Sequence, residues 1–441
     1  MEALHGTANG KRGTVNPGMK ILLINQCFYP DVVSSAQHLT DLALELASSG
    51  HEVTVLTGRR GYDDPSLRFP KKEIWKGIAV FRIPSTGLGK KSILSRVIDF
   101  GSFMICCLAR MLMFSRFDAV VAMTSPPLIS FLAALVACLK RERFYFWILD
   151  LNPDEAIAAG WLRKNSHTAK ILSFLQMYGI RKARRLIVMD RFMKQRLIAK
   201  GAAENKIVII PPWAHDRHVV YSPAGRKSFR AAHGLADKFV VMYSGNHSPC
   251  HPLHTLLQSA LQLAHYPEIR FLFVGGGSEF GNAKAFAEQN ALKNVNFLPY
   301  QPLDRLAEAL SSADLHVAVM GNGFTGIVHP CKIYNILSIG CPFLYIGPEA
   351  SHIADIVRKL GDSGNAYFAR HGEIGKTSDM ILEAQKKAGS GASQAFRKCG
   401  SRYSASALLP RMMEALECPP NTGSKSEITW KYANRISAIV K

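Results

Sequence analysis

The chain has 441 residues, of which 48% are hydrophobic and 20% are charged. This length predicts two or three domains, and this composition excludes a disordered chain. Lysine and arginine number 54 against 33 aspartate and glutamate residues, and the net charge of +21 indicates an anionic partner such as nucleic acid, a phosphorylated ligand or an acidic membrane. Nine cysteines without a CxxC pair indicate a reducing compartment and no structural zinc.

The two ends of the chain and two apolar stretches bear on its location. Residues 1–18 are polar and rich in glycine, so we expect a flexible extension and no secretory signal, and residues 418–441 are expected to form a tail. Neither Ile93–Phe114, which contains charged residues, nor Leu128–Leu139, with 12 residues where about 20 are needed, is expected to span a membrane. Both stretches are candidates for lying on a membrane surface.

Segments typical of strands alternate with helical segments along the chain. The predicted strands of the first half are Lys20–Asn25, Glu52–Thr57, Ile78–Ile83, Asp118–Met123, Phe144–Leu149, Arg185–Met189 and Lys206–Ile210. Those of the second half are Phe239–Tyr243, Arg270–Val274, Val295–Leu298, Asp314–Val319 and Pro342–Ile346. This alternation predicts α/β domains in which helices cover both faces of a parallel sheet.

The segment Trp213–Ser222 separates the two series and is the predicted linker. The first domain then covers residues 19–215 and the second residues 216–417. Two doubly wound domains leave one cleft between facing strand ends, where such sheets bind ligands. Three helices of the second half are expected to have proline at their first position, namely Pro252, Pro302 and Pro330.

The loop after the first predicted strand ends with Ser34 and Ser35, just before an amphipathic helix that Gly50 is placed to end. Free N–H groups at such a helix N-terminus suit an anion. The alternative is an ordinary loop in which one of the two serines caps the helix.

The second half contains two similar loops. The first includes Gly245, Asn246, His247 and His251. Its histidines are candidates for hydrogen bonds to a diphosphate, although loop histidines are more often surface residues, and no third metal ligand is near in the sequence. In the second loop, Gly275-Gly276-Gly277 lets a flat ring approach the backbone but is not a dinucleotide fingerprint.

The glycine-rich loop Gly321–Pro330 and the helix after it are the most informative segment. Lys332 lies in the predicted first turn, where a cation is unfavourable unless an anion is bound. Loop amides, the helix dipole and Lys332 together suit a diphosphate. Asn335, about one turn further on, can face the same ligand.

These motifs, in this order, resemble the family 4 glycosyltransferases of the GT-B fold, in particular the bacterial branch of O-antigen and exopolysaccharide biosynthesis that includes colanic-acid-type enzymes. The resemblance covers about residues 19–416. Besides the opening loop, it rests on Gly50–Thr57, Tyr243–Asn246, Phe273–Gly277, Pro330–Leu337 and the following Gly340-Cys341-Pro342. It implies two Rossmann-like domains that face a central cleft.

The chain departs from the family pattern at several positions. The family often has two glutamates eight positions apart, but here Asn335 occupies the second position and no glutamate the first. Ser34-Ser35 replaces the usual Gly-Gly pair, and His251 at best matches a lysine common in the second domain. These differences bear on the donor sugar more than on the fold.

The resemblance implies a retaining glycosyltransferase that uses a nucleotide-diphosphate sugar and needs neither a cofactor nor a metal ion. Lys332 and His251 are the candidate catalytic residues at the leaving phosphates. Asp150, at the end of a first-domain strand, is a candidate for bonding a sugar hydroxyl or the acceptor, unless it only caps a turn before Pro153. The expected donor-binding residues are Ser34, Ser35, Gly245, Asn246, His247, Gly275, Gly276, Phe297, Leu298, Gly326 and Asn335.

Eleven basic residues and a single acidic residue, Asp190, lie between Trp161 and Lys200. Such a run is usually a solvated face, and no motif interleaves it with aromatic residues as nucleic-acid binding would require. Since the apolar stretches belong to the same domain, we expect an anionic membrane surface and an acceptor on a lipid diphosphate. The expected location is the cytoplasm, peripheral on the inner face of the cell membrane, without a nucleic-acid partner.

Two other functions stay open. A nucleotide-sugar epimerase of the same fold would need carboxylates and a histidine as an acid/base set in the cleft, and the sequence does not let us assemble one. A non-catalytic, membrane-associated subunit of a polysaccharide assembly is favoured by the missing glutamates.

Overall fold

The computed structural model describes residues 18–417, apart from 62–63, 65, 85, 87–92, 216–218, 362–364 and 389–393, and apart from the side chains of residues 93–97. The predicted tail and nearly all of the predicted N-terminal extension lie outside the described residues.

The first domain contains one sheet of eight strands. The strands are β1 (Lys20–Ile24), β2 (Glu52–Gly58), β3 (Lys72–Trp75), β4 (Ile78–Ile83), β5 (Ala119–Ala122), β6 (Arg143–Ile148), β7 (Arg185–Val188) and β8 (Ile207–Ile209). The helices are α1 (Ser34–Ser48), α2 (Ile93–Met113), α3 (Ile129–Lys140), α4 (Asp154–Ala158), α5 (His167–Lys182) and α6 (Arg191–Ala199). The strand order is β3-β4-β2-β1-β5-β6-β7-β8, and all neighbours are parallel except β3 and β4.

The second domain contains a sheet of six parallel strands. They are β9 (Phe239–Asn246), β10 (Ile269–Gly276), β11 (Val295–Leu298), β12 (Leu315–Val319), β13 (Phe343–Ile346) and β14 (Ala366–Ala369). The helices are α7 (Pro223–Ala232), α8 (His254–Gln262), α9 (Phe280–Gln289), α10 (Leu306–Ser311), α11 (Lys332–Ile339), α12 (His352–Leu360), α13 (Ile374–Lys386), α14 (Gln394–Gly400) and α15 (Ala405–Glu417). The order β11-β10-β9-β12-β13-β14 is that of a Rossmann sheet, which confirms the predicted fold class.

The strand order reverses between β1 and β5 in the first sheet and between β9 and β12 in the second. Such switch points leave a crevice at the carboxyl ends of the strands, where ligands bind. The loops that follow β1 and β9 are the ones that the sequence analysis assigned to an anion. The topology therefore places both loops at the crevice of their own domain.

Several local predictions need correction. Strands β3 and β14 were missed because the Lys-Glu pair of β3 and the two alanines of β14 have a low strand propensity. The helices after Pro252 and Pro330 begin two residues later, at His254 and Lys332, and Pro302 precedes a short 3-10 turn. The predicted serine cap of α1 is also wrong, because the helix begins at Ser34 itself and no side chain caps it.

The apolar character of α3 reflects burial and not membrane contact. The helix packs between α2 and α5, and most of its residues are buried. Leu139, at its C-terminal end, is the large hydrophobic side chain of α3 that is exposed. Within the described residues, no helix combines the length and the apolar character that crossing a membrane requires. The earlier expectation that Leu128–Leu139 lies on a membrane is therefore wrong for most of this helix.

The last helix returns to the first domain. The Tyr145 hydroxyl donates a hydrogen bond of 2.8 Å to the carbonyl of Leu416, and His51 Nε2 lies 3.1 Å from Glu417 Oε1. The start of the linker is also fixed, since the buried Trp213 indole donates to Asp41. The two domains are thus joined both at the linker and by α15, although the predicted boundary at residue 417 assigned this helix to the second domain.

Candidate functional site

The N-termini of two helices from different domains meet at the cleft. Ser34, the first residue of α1, has its Oγ 3.4 Å from Sγ of Cys331, which precedes α11. Neither helix has a side-chain cap or an acidic residue in its first turn. The positive ends of two helix dipoles therefore approach one another without a negative side chain in either first turn.

Lys332 brings a further positive charge to this point. Its Nζ lies 3.7 Å from the centre of the Tyr243 ring and has no hydrogen-bond partner among the described residues, although it is buried. Burial lowers the pKa of Lys332 to about 7. When it is protonated, the side chain is thus a cation whose charge the described protein groups leave largely uncompensated, which is what an anion site requires.

Glycines let the ends of β9 and β10 approach Lys332 and one another. Gly245 has a φ of 132°, and a Cβ there would lie 3.2 Å from Lys332 Nζ. Gly275 has a φ of 134°, and its Cβ would lie 2.1 Å from the carbonyl oxygen of Gly245. Gly276 accepts a hydrogen bond of 3.2 Å from the hydroxyl of Tyr300, a residue that the sequence analysis did not single out. The glycines at the ends of β9 and β10 therefore form a surface without side chains next to the Lys332 ammonium group.

The two loop histidines are not surface residues. His247 is fully buried, its ring packs against Tyr243 and Phe280, and its Nδ1 lies 3.0 Å from the carbonyl of Gly245. Burial, followed by the charge of Lys332, lowers the pKa of His247 to about 4 and that of His251 to about 3. Both imidazoles are therefore neutral at pH 7, so they contribute N–H donors and no charge. His251 Nδ1 is a buried atom without a described hydrogen-bond partner.

A pair of carboxyl groups lies on the first-domain side. Asp150 follows β6, and Glu155 belongs to α4, where it accepts a hydrogen bond of 3.2 Å from Asn152. Burial first, and then the charge of Glu155, raises the pKa of Asp150, while burial raises that of Glu155. The pair therefore holds on to a proton more readily than two exposed carboxylates would. Glu155 also faces the second domain, since Cys250 Sγ lies 3.7 Å from its Oε1.

Other predicted donor residues make contacts that the sequence did not indicate. Asn335 Oδ1 accepts a hydrogen bond of 3.0 Å from the backbone N–H of His215 in the linker. Gly326 lies against the first domain, where a Cβ would be 2.7 Å from the backbone of Phe192. Phe297 stacks on Phe273 at 5.3 Å. Each of these residues thus makes a structural contact within the protein, and its contact with a donor stays a prediction.

The described residues contain one group of three side chains whose ligand atoms lie close enough to hold a metal ion. It consists of Asp190, His329 and His352, and all the ligand atoms lie within 4.8 Å of one another. His329 Nδ1 is 2.7 Å from Asp190 Oδ2. Burial alone would raise the pKa of Asp190, but the hydrogen bond from His329, together with smaller contributions from the other partners of this carboxylate, outweighs burial and holds this pKa well below its usual range. The sequence did not indicate this group because Asp190 lies in the other domain, 139 residues before His329.

The fold defines the class of the protein, which consists of two Rossmann-like α/β domains that face one cleft. Residues 35–213 match the family described as "Glycosyl transferase 4-like domain", and residues 225–345 match "Glycosyl transferases group 1". The chain belongs to the family 4 glycosyltransferases of the GT-B fold, as the sequence resemblance implied.

Individual relatives agree with this assignment. The chain is 26% identical to the colanic acid biosynthesis glycosyl transferase WcaI of Escherichia coli, over 73% of the chain and 82% of the relative. It is 24% identical to the glycosyltransferase WbjE of Pseudomonas aeruginosa, over 57% and 62%. Among solved structures, HepE of Anabaena in complex with UDP and glucose has a TM-score of 0.67 at 17% identity, covering 90% of this chain and 99% of that one. WaaG, a glycosyltransferase of lipopolysaccharide biosynthesis, has a TM-score of 0.64 at 12% identity, with the same coverage.

Proposed function

We propose that the protein is a retaining glycosyltransferase that moves a sugar from a nucleotide-diphosphate sugar to a lipid-linked or polysaccharide acceptor in bacterial envelope polysaccharide biosynthesis, without a cofactor or a catalytic metal ion. The observation that carries the proposal is the buried Lys332 ammonium at the meeting point of two helix N-termini. A diphosphate between α1 and α11 would supply the missing negative charge. The polysaccharide and lipopolysaccharide biosynthesis assigned to the relatives WcaI and WaaG, and the UDP bound to HepE, support the same assignment.

In this account, Lys332 and the backbone amides at the starts of α1 and α11 act on the leaving group. Breaking the glycosidic bond places additional charge on the diphosphate, and donors fixed in advance stabilise that charge most in the transition state. The low pKa of His251 means that a neutral imidazole donates at most one N–H there. Lys332 is then the main source of positive charge from a side chain.

Asp150 and Glu155 are the groups that we assign to hydroxyl recognition. A carboxyl pair that retains a proton can both donate and accept a hydrogen bond, as a sugar hydroxyl requires. Their position at the carboxyl end of β6, facing the second domain through Cys250, supports contact with the donor sugar or the attacking acceptor.

We further propose that the first domain binds an anionic membrane surface at the inner face of the cell membrane. On α2, where Met113 is also exposed, three large hydrophobic side chains lie at intervals of seven residues, and the two exposed on α5 are three apart, so each set lies along one helix face. They are Ile98, Ile105 and Leu112 on α2, and Ile171 and Phe174 on α5. Exposed basic residues surround the α5 pair: Arg163, Lys164, Lys170, Arg181 and Lys182. An apolar surface bordered by basic residues is suited to acidic lipid headgroups.

Only part of the basic run is available for this purpose. Arg191 pairs with Asp355, Lys194 with Glu204, and Lys200 with Asp154. The charges of these three residues are matched within the protein, so the exposed basic residues on and before α5 are the ones assigned to the membrane.

Incubating the protein with a panel of nucleotide sugars and a lipid-diphosphate saccharide tests the reaction. We expect a nucleoside diphosphate and a glycosylated acceptor whose new linkage keeps the anomeric configuration of the donor. An isomerised nucleotide sugar would instead make Asp150 and Glu155 the acid/base pair of an epimerase. No turnover with any donor, together with no donor binding, would favour a non-catalytic subunit.

A further inference from the structure

The group formed by Asp190, His329 and His352 lies at a second contact between the domains, and the proposed transfer reaction does not use it. Asp190 precedes α6 in the first domain, His329 precedes α11, and His352 begins α12 in the second domain. Their exposed fractions are 7%, 9% and 7%. Three ligand-type side chains are thus withdrawn from water at one point, and they come from both domains.

The two carboxylate oxygens of Asp190 have different partners. Oδ1 accepts a hydrogen bond of 2.8 Å from the backbone N–H of Met193 and so caps α6. Oδ2 faces the two imidazoles, 2.7 Å from His329 Nδ1 and 3.5 Å from His352 Nδ1. Bonds of about 2.0–2.1 Å to a tetrahedral ion place its ligand atoms roughly 3.4 Å apart. Both carboxylate–imidazole distances are close to this value, and all the ligand atoms lie within 4.8 Å of one another.

The outer ring nitrogens have the partners that metal-bound histidines use. His352 Nε2 lies 3.3 Å from the carbonyl oxygen of Pro330, which can only accept, so this nitrogen carries the proton. A neutral His352 then presents the lone pair of Nδ1 to the Asp190 carboxylate, which is unfavourable in a buried place unless a cation lies between them. His329 Nε2 lies 2.7 Å from the hydroxyl of Tyr334, and the hydroxyl oxygen can accept a hydrogen bond from the Nε2–H group. Such outer hydrogen bonds orient histidine ligands in metal sites.

We propose that Asp190, His329 and His352 bind one zinc ion that joins the two domains. Two imidazoles and a carboxylate are ligands that zinc accepts, with a water molecule completing the tetrahedron. The rings now stack with centres 3.6 Å apart, so one ring must rotate for both lone pairs to reach one ion. Because the ligands come from both domains, the ion binds only where this contact is formed and stabilises that arrangement.

The rival occupant of the same place is a proton, which would make one histidine an imidazolium paired with Asp190. The charged residues beside the group are Asp355 and Arg191, which form an ion pair with each other. One negative and one positive charge therefore lie near the histidines. The two occupants can be distinguished by metal analysis, because bound zinc can be measured as metal content per chain and a proton cannot.

The test uses the full chain, freed of metal with a chelator and then titrated with zinc in a calorimeter, with metal content measured after dialysis. We expect one zinc per chain and a higher melting temperature with zinc. Both effects should be lost in His352→Gln and in Asp190→Asn, which keeps an acceptor to cap α6. His371→Gln is the control, because this histidine also has Nε2 on a backbone carbonyl, 2.8 Å from Met320 O, but is not a member of the group. Absence of zinc binding in the wild type, or equal binding in wild type and His352→Gln, would overturn the proposal in favour of the imidazolium.

Discussion

Ser34 and Cys331 are 297 residues apart in the sequence, yet the Oγ of Ser34 lies 3.4 Å from the Sγ of Cys331. The contact itself is weak, but it shows where the N-termini of α1 and α11 meet. Lys332 follows Cys331 directly and turns its ammonium group toward Tyr243 and Gly245 of β9. Three sources of positive potential are thus concentrated in one part of the cleft.

Replacing Lys332 with alanine is expected to lower kcat/KM for the nucleotide sugar. The decrease should correspond to a loss of about 2–4 kcal/mol of transition-state stabilisation. The reason is the loss of the side-chain cation that faces the leaving diphosphate. Steady-state kinetics with the donor found in the panel gives the measurement. Lys293→Ala, at an exposed lysine of the same domain, is the control and should be unchanged. A folded Lys332→Ala protein with unaltered kcat/KM would refute this role.

The affinity for a nucleoside diphosphate should fall as the pH rises above about 7. Burial lowers the pKa of Lys332 to about 7, so the free protein loses the ammonium proton above that pH. A bound diphosphate favours the charged form, and the protein must regain the proton to bind it, which weakens binding by up to about tenfold per pH unit. Calorimetry across this range measures the effect.

Lys332→Arg supplies the comparison for this pH profile. Arginine keeps its charge at every working pH, so binding to this variant should be flat across the same range. An identical decline in both proteins would assign the effect to another titrating group of the protein.

Asn335→Ala is expected to reduce the free energy of unfolding by about 1 kcal/mol, because the N–H of His215 loses its acceptor. Asn335→Asp retains an acceptor and should stay near wild type, and Asn335→Glu should be tolerated, since it restores the group common in the family. Denaturant unfolding together with donor titration separates the two roles. If Asn335→Ala leaves stability unchanged but weakens donor binding, the asparagine holds the ribose as the sequence analysis expected.

Binding to vesicles should require acidic lipid and weaken with salt. Each lysine or arginine near an anionic surface is worth about 1 kcal/mol, and the attraction is screened beyond about 8 Å at physiological salt. Burying a large apolar side chain adds about 1.5–3 kcal/mol, so Phe174→Ser should weaken binding. Phe174 is 67% exposed on α5, and Ile74→Ser is the control because Ile74 is 68% exposed on β3. Equal flotation with neutral and acidic vesicles at low salt would contradict the electrostatic part.

Much of the fold could be predicted because its signals are local. The alternation of apolar runs and amphipathic helices identified twelve of the fourteen strands that the structure describes, and hence both sheets. The edge strands β8 and β11 are rich in apolar residues and were predicted, whereas β3, with Lys and Glu, and β14, with two alanines, were not. The apolar sequence of α3 was read as a surface feature because burial between two helices and contact with lipid favour the same residues.

The site was harder to predict, because its chemistry depends on distances that no local pattern encodes. Lys332 could be singled out, since a lysine in a first turn conflicts with the helix dipole. Glu155 was missed although it lies five residues after Asp150, because its significance depends on Cys250 in the other domain. The group of Asp190, His329 and His352 has no sequence signature, since Asp190 comes from the first domain and reaches the two histidines only where the domains meet.

The central claim is that the donor diphosphate binds between α1 and α11 over Lys332. The most direct measurement is a crystal structure of the full chain with a nucleoside diphosphate from the donor panel. The account predicts phosphate oxygens within hydrogen-bond distance of Lys332 Nζ and of backbone N–H groups at the starts of both helices. A diphosphate bound elsewhere, with Lys332 still packed on Tyr243 and without an anionic partner, would contradict it.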